Sequence, residues 1–165
     1  MATQFTRALQ TLSRAGVDFI LIGGVAGAAH GAPRTTLDLD AVYARNPENV
    51  DRLASALAPF HPYPRGAPPG LPFAFDSATI VRGLNFTLTT DLGALDLLGE
   101  VVGGGTYEEL LPRTQLMEIH GVTCRCVDLP TLIHLKRAAG RPKDSEAVAE
   151  LELILEQRRK ITPAS

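Results

Sequence analysis

An apolar run that stops at two glycines constrains the fold of this chain most. Residues 17 to 22 read VDFILI and are rich in β-forming side chains, which predicts a short buried strand. Gly23 and Gly24 follow and predict a turn, after which residues 25 to 30 are most simply a short helix. Residues 37 to 43, LDLDAVY, alternate enough to predict a second strand. Residues 17 to 43 are therefore expected to form two strands with a short helix between them.

Hairpins and helices are predicted for the rest of the sequence. NFTLTT and ALDLLGEV flank Asp91-Leu92-Gly93, which indicates one hairpin, and MEIHGVTCRCVDL indicates another that turns at His120-Gly121. The pattern favours an α/β (α+β) fold with a mixed sheet flanked by helices. Helices are expected over residues 3 to 15, from Asn46-Pro47-Glu48 onward, from Pro130 to Gly140, and from about Asp144 onward.

Length and composition set limits on the function. The 165 residues fit one domain, 1 to 165, with a C-terminal helical segment from about residue 130. A net charge of −2 argues against a general nucleic-acid binder held by bulk charge, although a local basic patch stays possible. No apolar run is long enough to span a bilayer, and the N-terminus lacks the apolar region of a secretory signal peptide. We therefore expect a cytoplasmic protein. Cys124 and Cys126 are expected to be reduced and to lie in or near the core.

One long segment reads as a loop. Residues 61 to 73, HPYPRGAPPGLPF, hold five prolines and can form neither a central strand nor a helix interior. It is either a solvated connection or a wall of a substrate pocket, because long loops in compact domains are often functional.

Two aspartates on the second strand carry the first chemical signal. Residues i and i+2 of a strand point to the same face, so Asp38 and Asp40 project together. Two adjacent carboxylates repel, and a divalent cation such as Mg²⁺ or Mn²⁺ relieves the repulsion with oxygen ligands. The glycines at 23 and 24 would let backbone N–H groups approach a phosphate. Carboxylates with a purely structural role are the plain alternative.

Two common nucleotide-binding motifs fit less well. A dinucleotide-binding fingerprint needs a glycine where Ile22 stands, and its acidic residue would come later than Asp38. A phosphate-binding loop of the Gly-Lys-Ser/Thr type is absent.

Together these residues resemble a known signature. Gly-Gly, then 13 residues, then Asp-Leu-Asp on a strand, with Arg34-Thr35-Thr36 just before it, resembles the motif of the DNA polymerase β nucleotidyltransferase superfamily. That superfamily has a third carboxylate on a later strand, and Asp96 in GALDLLGEV matches it. The segment LIHLKRAAGRPKDSEAVAEL also looks like the C-terminal part of small bacterial members, including relatives of AbiEii-like toxins.

The resemblance implies a role for each matching residue. Asp38 and Asp40 would bind the metals that carry the triphosphate, and Asp96 would complete the second metal site and help to deprotonate the attacking hydroxyl. The remaining roles are phosphate contacts by Gly23 and Gly24, positive charge on the triphosphate from Arg34 and Lys136 with Arg141 and Lys143 behind them, and support of the aspartates by Thr36.

Several residues have competing interpretations. Asp91 competes with Asp96 for the third carboxylate, but Asp91 precedes Leu92-Gly93, where an aspartate most often makes a turn. Asp96 stands among leucines, where an unpaired charge would be costly, so it is the better candidate. The histidines are expected to be structural, although His30 lies close enough to the glycine turn to touch a substrate.

The resemblance therefore implies a nucleotidyltransferase (EC 2.7.7 type) that moves NMP from an NTP such as ATP to a hydroxyl acceptor. The acceptor stays open: an RNA or tRNA end, a protein side chain or a small molecule. A role in a toxin–antitoxin pair, with an antitoxin partner, is also implied. A basic strip for an RNA end would comprise Arg137, Arg141, Lys143, Arg158, Arg159 and Lys160. The alternative is a catalytically silent module that binds a nucleotide or a partner with the same fold.

Overall fold

The computed structural model describes residues 4–33 and 38–161. The strands are β1 Phe19–Ile22, β2 Asp38–Tyr43, β3 Tyr63–Pro64, β4 Asn85–Thr90, β5 Gly93–Leu98, β6 Glu100–Val101, β7 Gly105–Thr106, β8 Thr114–Ile119 and β9 Val122–Val127. The helices are α1 Gln4–Arg14, α2 Gly23–Ala29, α3 Pro47–Leu57, α4 Ser77–Arg82, α5 Tyr107–Leu110, α6 Leu129–Ala139 and α7 Asp144–Ile161.

The strands form one large mixed sheet and one small ribbon. The seven-stranded sheet has the order β3-β4-β5-β2-β1-β9-β8, while β6 and β7 pair with each other. The central strands β1 and β2 are antiparallel, and each pairs in parallel with the inner strand of a hairpin: β2 with β5 and β1 with β9. The fold class expected from the sequence, a mixed sheet flanked by helices, is confirmed.

Local sequence signals set the ends of three helices. The side chains of Asn46, Asp76 and Asp128 each accept a hydrogen bond from a backbone N–H in the first turn of α3, α4 and α6. Gly140 ends α6 in the left-handed region, with φ of 65°, as a helix C-terminus prefers. The sequence predicted the helix starts near Asn46 and Pro130 and the stop at Gly140.

The proline-rich segment contributes one short edge strand. Only Tyr63–Pro64 of residues 61 to 73 forms a strand, and it pairs antiparallel with β4 at the margin of the sheet. A proline is tolerated there because an edge strand needs bonds on one side only. The backbone N–H of Arg65 extends the pairing through a 2.9 Å hydrogen bond to the carbonyl of Thr87.

Helix α7 is tied to the end of α2 through a buried histidine. His30 lies within 2.8 Å of the carbonyl of Val127 through Nε2, so that nitrogen carries the proton. Arg158 donates to His30 Nδ1 at 3.1 Å and to the His30 carbonyl at 2.9 Å. Burial lowers the pKa of His30, so the neutral ring fits these contacts. The expectation of a structural histidine therefore matches its place in the fold.

The apolar core lies around β1, β2, β5 and β9. Its fully buried members include Ile20, Leu21, Leu39 and Leu95, and Leu9 and Leu12 of α1 pack into the same core. Within residues 4–33 and 38–161, no helix combines the length and the apolar character that a bilayer crossing needs.

Candidate active site

Polar side chains form a row across neighbouring strands of the large sheet. Asp40 on β2 is the register partner of Asp96 on parallel β5, and Asp96 is the partner of Thr87 on β4. On the other side of the row, Asp40 is the partner of Ile22, the last residue of β1. Residues in register project to the same face, so two aspartates far apart in the sequence become direct neighbours.

The third aspartate lies one step along the same face. Asp38 is the register partner of Ala94, two residues before Asp96 on β5. The rival candidate, Asp91, lies in the turn between β4 and β5, where it contacts His61 at 2.6 Å. Its side chain is 56% exposed, against 27% for Asp96. The structure therefore places Asp96, and not Asp91, beside the Asp38-Leu39-Asp40 motif.

Crowding of the carboxylates perturbs Asp40. Its pKa is raised to about 7, first by burial and then by the charge of Asp96, a hydrogen bond between the two carboxyl groups and the charge of Asp38. The ammonium of Lys136 acts in the opposite direction. Burial and the two neighbouring acids therefore both disfavour the charged form of the Asp40 carboxyl group.

An arginine from the proline-rich segment contacts two of the three acids. Arg65 Nη2 lies 2.9 Å from Asp96 Oδ1, and Nη1 lies 3.8 Å from Asp38 Oδ2. Nη2 also donates to the carbonyls of Leu88 at 2.8 Å and Leu95 at 3.4 Å. Because the two hydrogens of Nη2 point to those carbonyls, its contact with Asp96 is an ion pair without a directed hydrogen bond, and Asp96 Oδ1 is buried without a hydrogen-bond donor in the described chain.

Gly23 makes room for the Asp40 carboxylate. Its φ is +69°, a conformation that glycine adopts far more readily than other residues. A Cβ atom at this position would overlap the Asp40 carboxylate, with Oδ2 the nearest atom. The sequence predicted that the missing side chain leaves space for a phosphate, whereas the structure fills that space with an acidic side chain of the site.

The row of side chains opens into a cavity of about 400 Å³. Gly23, Asp40 and Asp96 line it, together with Lys136 from α6 and Arg141 from the segment after α6. Arg141 is held by Asp144, with Nε 2.8 Å from Oδ2. Acidic and basic groups thus face one cavity, as a metal–triphosphate ligand requires.

The donor set suits a hard divalent cation, but its ligands do not already converge. The acids supply only oxygen atoms, which Mg²⁺ and Mn²⁺ prefer, and the buried Asp96 Oδ1 lacks a hydrogen-bond donor. Within residues 4–33 and 38–161, however, no group of three acidic, histidine or cysteine side chains has a geometry ready to hold one metal ion. Asp38 and Asp96 both lie against Arg65 instead. The residues fit a divalent cation in chemistry, and two of the three acids lie in contact with Arg65.

Other residues predicted for the site are placed differently. Arg34 and Thr36 lie outside the described residues. The expected basic strip is largely paired within the α6–α7 region: Arg137 with Glu152, Arg141 with Asp144, Lys160 with Glu156, and Arg158 with His30. Lys143 is exposed and is absent from the lining of the cavity. Of the cations expected to meet a triphosphate, the structure brings Lys136 and Arg141 to the carboxylates.

Sequence reasoning missed Arg65. The segment around it was assigned either as a connection or as a pocket wall, and no residue within it was singled out. The usable signal was an arginine directly after Tyr63-Pro64, a pair compatible with an edge strand. Which strand that edge would join could not be read from the sequence.

Comparisons with known proteins support the architecture. No family model matches the chain, and no curated protein matches it. Among solved structures, the chain is similar to a crystal structure described as a "putative nucleotidyltransferase" from Thermotoga maritima. The TM-score is 0.56 at 15% sequence identity, and the match covers 88% of each chain. At this identity the likeness shows the fold: both chains share a mixed α/β architecture.

Proposed function

We propose that this protein is a metal-dependent nucleotidyltransferase that transfers NMP from an NTP to a hydroxyl acceptor. The observation that carries the proposal is the juxtaposition of Asp40 and Asp96 across the parallel β2–β5 pair, beside Gly23 and Lys136, in one cavity. The fold shared with the Thermotoga maritima protein supports the same reaction class.

The candidate site residues that the structure describes each have a role in this proposal. Asp38, Asp40 and Asp96 would hold Mg²⁺ or Mn²⁺, which when bound neutralises phosphate charge and aligns the triphosphate. Lys136 and Arg141, which line the same cavity, would add positive charge, and the backbone of Gly23 and Gly24 would contact the phosphates. A bond forms between the acceptor oxygen and the α-phosphorus, the bridge to the β-phosphate breaks, and pyrophosphate leaves. Asp96 would accept the proton of the acceptor hydroxyl.

The acceptor would approach along the ribbon formed by β6 and β7. A second cavity, of about 580 Å³, is lined by Leu84, residues 100 to 105, Glu109 and Arg113. It shares Asn85, Glu100, Val101 and Val102 with the cavity lined by Asp40 and Asp96, so the two cavities are adjacent. A molecule in the second cavity could therefore present a hydroxyl to the first.

The acceptor itself stays a proposal with three forms: an RNA or tRNA end, a protein side chain or a small molecule. The internal pairing of the α6–α7 cations weakens the case for a basic RNA strip. A toxin–antitoxin role with an antitoxin partner, the kinship with AbiEii-like toxins and a cytoplasmic location stay predictions from the sequence, as does the single-domain organisation.

Transfer of labelled nucleotide tests the reaction. The protein is incubated with each α-labelled NTP, Mg²⁺ or Mn²⁺, and total RNA or cell lysate, and Asp40→Asn is compared with wild type. We expect the label to move to one acceptor class with the wild type only. Asp91→Asn is a matched control, because it removes a nearby carboxylate, at the β4–β5 turn, that does not line the cavity. Equal labelling by wild type and Asp40→Asn would contradict the proposal.

A catalytically silent binding module is the second candidate. It is favoured by one observation: Arg65 pairs with Asp38 and Asp96, and the described side chains form no ready three-ligand metal site. Calorimetry with ATP, with and without Mg²⁺, separates the two functions. A module would bind ATP equally in both conditions and equally after Asp40→Asn, and would label nothing.

A further inference from the structure

The Arg65 guanidinium lies beside the acids, in the position that a bound cation would need. It extends from the edge of the sheet across β4 to reach Asp96 on β5 and Asp38 on β2. Its backbone N–H bonds to Thr87, the register partner of Asp96. The arginine therefore belongs to the same cross-strand row as the acids, although it comes from the proline-rich segment.

The guanidinium is held there by the main chain as well as by charge. Its Nη2 donates to the carbonyls of Leu88 and Leu95, which are register partners on β4 and β5. Its side chain is only 29% exposed. An arginine with these fixed donors is preset over the acids, because its planar fork loses little freedom on pairing.

The same contact orients two of the three acids. Asp38 and Asp96 both have an oxygen atom against the Arg65 guanidinium, so those two carboxylates are oriented toward a common positive group on one side. No three-ligand set is formed among residues 4–33 and 38–161 while they are so oriented. A cation that bound the acids would have to share or displace that positive charge, because like charges at contact distance repel.

We propose that Arg65 is a built-in competitor of the metal: its guanidinium holds Asp38 and Asp96 in the metal-free protein and must leave them when a divalent cation binds. Arg65 is a positioning residue in this account, and it sets the metal affinity of the site from the sheet edge. The inference rests on the proposed function only in its use of the same three acids as ligands.

Mn²⁺ binding without nucleotide tests the competition. The dissociation constant is measured by calorimetry and by electron paramagnetic resonance of free Mn²⁺ for wild type and Arg65→Gln. Removal of the competing charge should tighten Mn²⁺ binding by roughly tenfold. Arg65→Lys keeps the positive charge but loses the planar guanidinium group. Its Mn²⁺ affinity should therefore lie between those of wild type and Arg65→Gln. The Asp96→Asn change should weaken Mn²⁺ binding in both the wild-type and the Arg65→Gln background.

Arg52→Gln is the matched control. Arg52 also pairs with an aspartate, Asp18, at 3.8 Å, the same distance as Arg65 from Asp38, but Asp18 is not one of the three proposed metal ligands. The Arg52→Gln substitution removes the same net charge as Arg65→Gln. Unchanged Mn²⁺ affinity in Arg52→Gln would therefore show that the effect of Arg65 is local.

A second readout uses no metal at all. In EDTA at pH 8, Arg65→Gln should melt below wild type because the acids lose their counter-charge, and Asp38→Asn in the same chain should restore part of the loss. If Arg65→Gln does not fold, Arg65→Lys decides the question by its Mn²⁺ affinity.

Unchanged or weaker Mn²⁺ binding by the Arg65 variants would overturn the competition. Loss of the inference and loss of the proposed function are distinguishable. Label transfer with unchanged Mn²⁺ affinity in Arg65→Gln would remove only the competition, while tighter Mn²⁺ binding without label transfer would remove only the enzymatic function.

Discussion

The two hairpins of the large sheet have the same construction and opposite chemistry. β4–β5 and β8–β9 are each built from two six-residue strands, and their inner strands β5 and β9 pair in parallel with β2 and β1. The first hairpin places Asp96 in a cavity beside another acid. The second places Cys124 and Cys126 in the core, where burial raises the pKa of the thiols to about 11 and about 12. The same strand arrangement therefore does not by itself make a functional site. The chemistry of each hairpin depends on whether its side chains face a cavity or the core.

The largest contrast between the hairpins is expected in activity. Asp96→Asn should reduce nucleotidyl transfer by at least ~100-fold, which corresponds to about 2.7 kcal/mol of lost transition-state stabilisation. Cys124→Ser, at a buried position of the other hairpin, should leave the rate within about twofold of wild type. The measurement is the initial rate of label transfer at saturating NTP. A rate loss of similar size in both variants would show that the assay responds to folding and not to the site.

A second contrast compares glycines with positive φ at the two halves of the sheet. Gly23→Ala meets both a strained backbone and the Asp40 carboxylate, whereas Gly121→Ala, at the β8–β9 turn with φ of +80°, meets nothing within 4 Å. We expect Gly121→Ala to cost about 1–2 kcal/mol of unfolding free energy from strain alone. Gly23→Ala should cost a further ~1–3 kcal/mol from overpacking. Urea unfolding measures both, and equal costs would contradict the assigned role of Gly23.

The acid on β2 that meets the first hairpin, Asp40, should make stability depend on pH. The pKa of Asp40 is raised from 3.8 to about 7, so between these values the folded protein binds more protons than the unfolded chain. Its contribution to the free energy of unfolding therefore falls as pH rises from about 4 to about 7 and is lowest above that window. In EDTA, Asp40→Asn should melt a few degrees above wild type at pH 8 and close to it at pH 4. A difference independent of pH would contradict this assignment.

The smallest effect concerns the thiols of the second hairpin. Because the pKa of each is raised to about 11 or about 12, both stay protonated at neutral pH and react poorly with thiol reagents. The native protein should show no modification by an aromatic disulfide reagent over an hour, and both thiols should react in guanidinium chloride. Rapid reaction in the native state would mean that this hairpin opens more readily than its burial indicates.

The parts of the molecule that local rules control could be predicted from the sequence. Period-two alternation placed Asp38 and Asp40 on one face, and the apolar neighbours of Asp96 distinguished it from the turn residue Asp91. The order of strands in the sheet could not be predicted, because pairing of β2 with β5 depends on contacts across the whole chain. Arg65 was missed for the same reason: its role follows from the register of an edge strand, and not from its neighbours in the sequence.

The edge strand β3 has only two residues in register with β4. Local opening of a protein costs least where few backbone pairs must separate, so the segment that carries Arg65 is expected to exchange its amide hydrogens much faster than β1 or β2. The positive charge that Arg65 places beside the three acids would then leave and return each time this edge opens and closes, while the rest of the sheet stays folded. Under the proposed competition, such an arrangement would let one edge of the sheet respond to bound ions while the other strands stay paired.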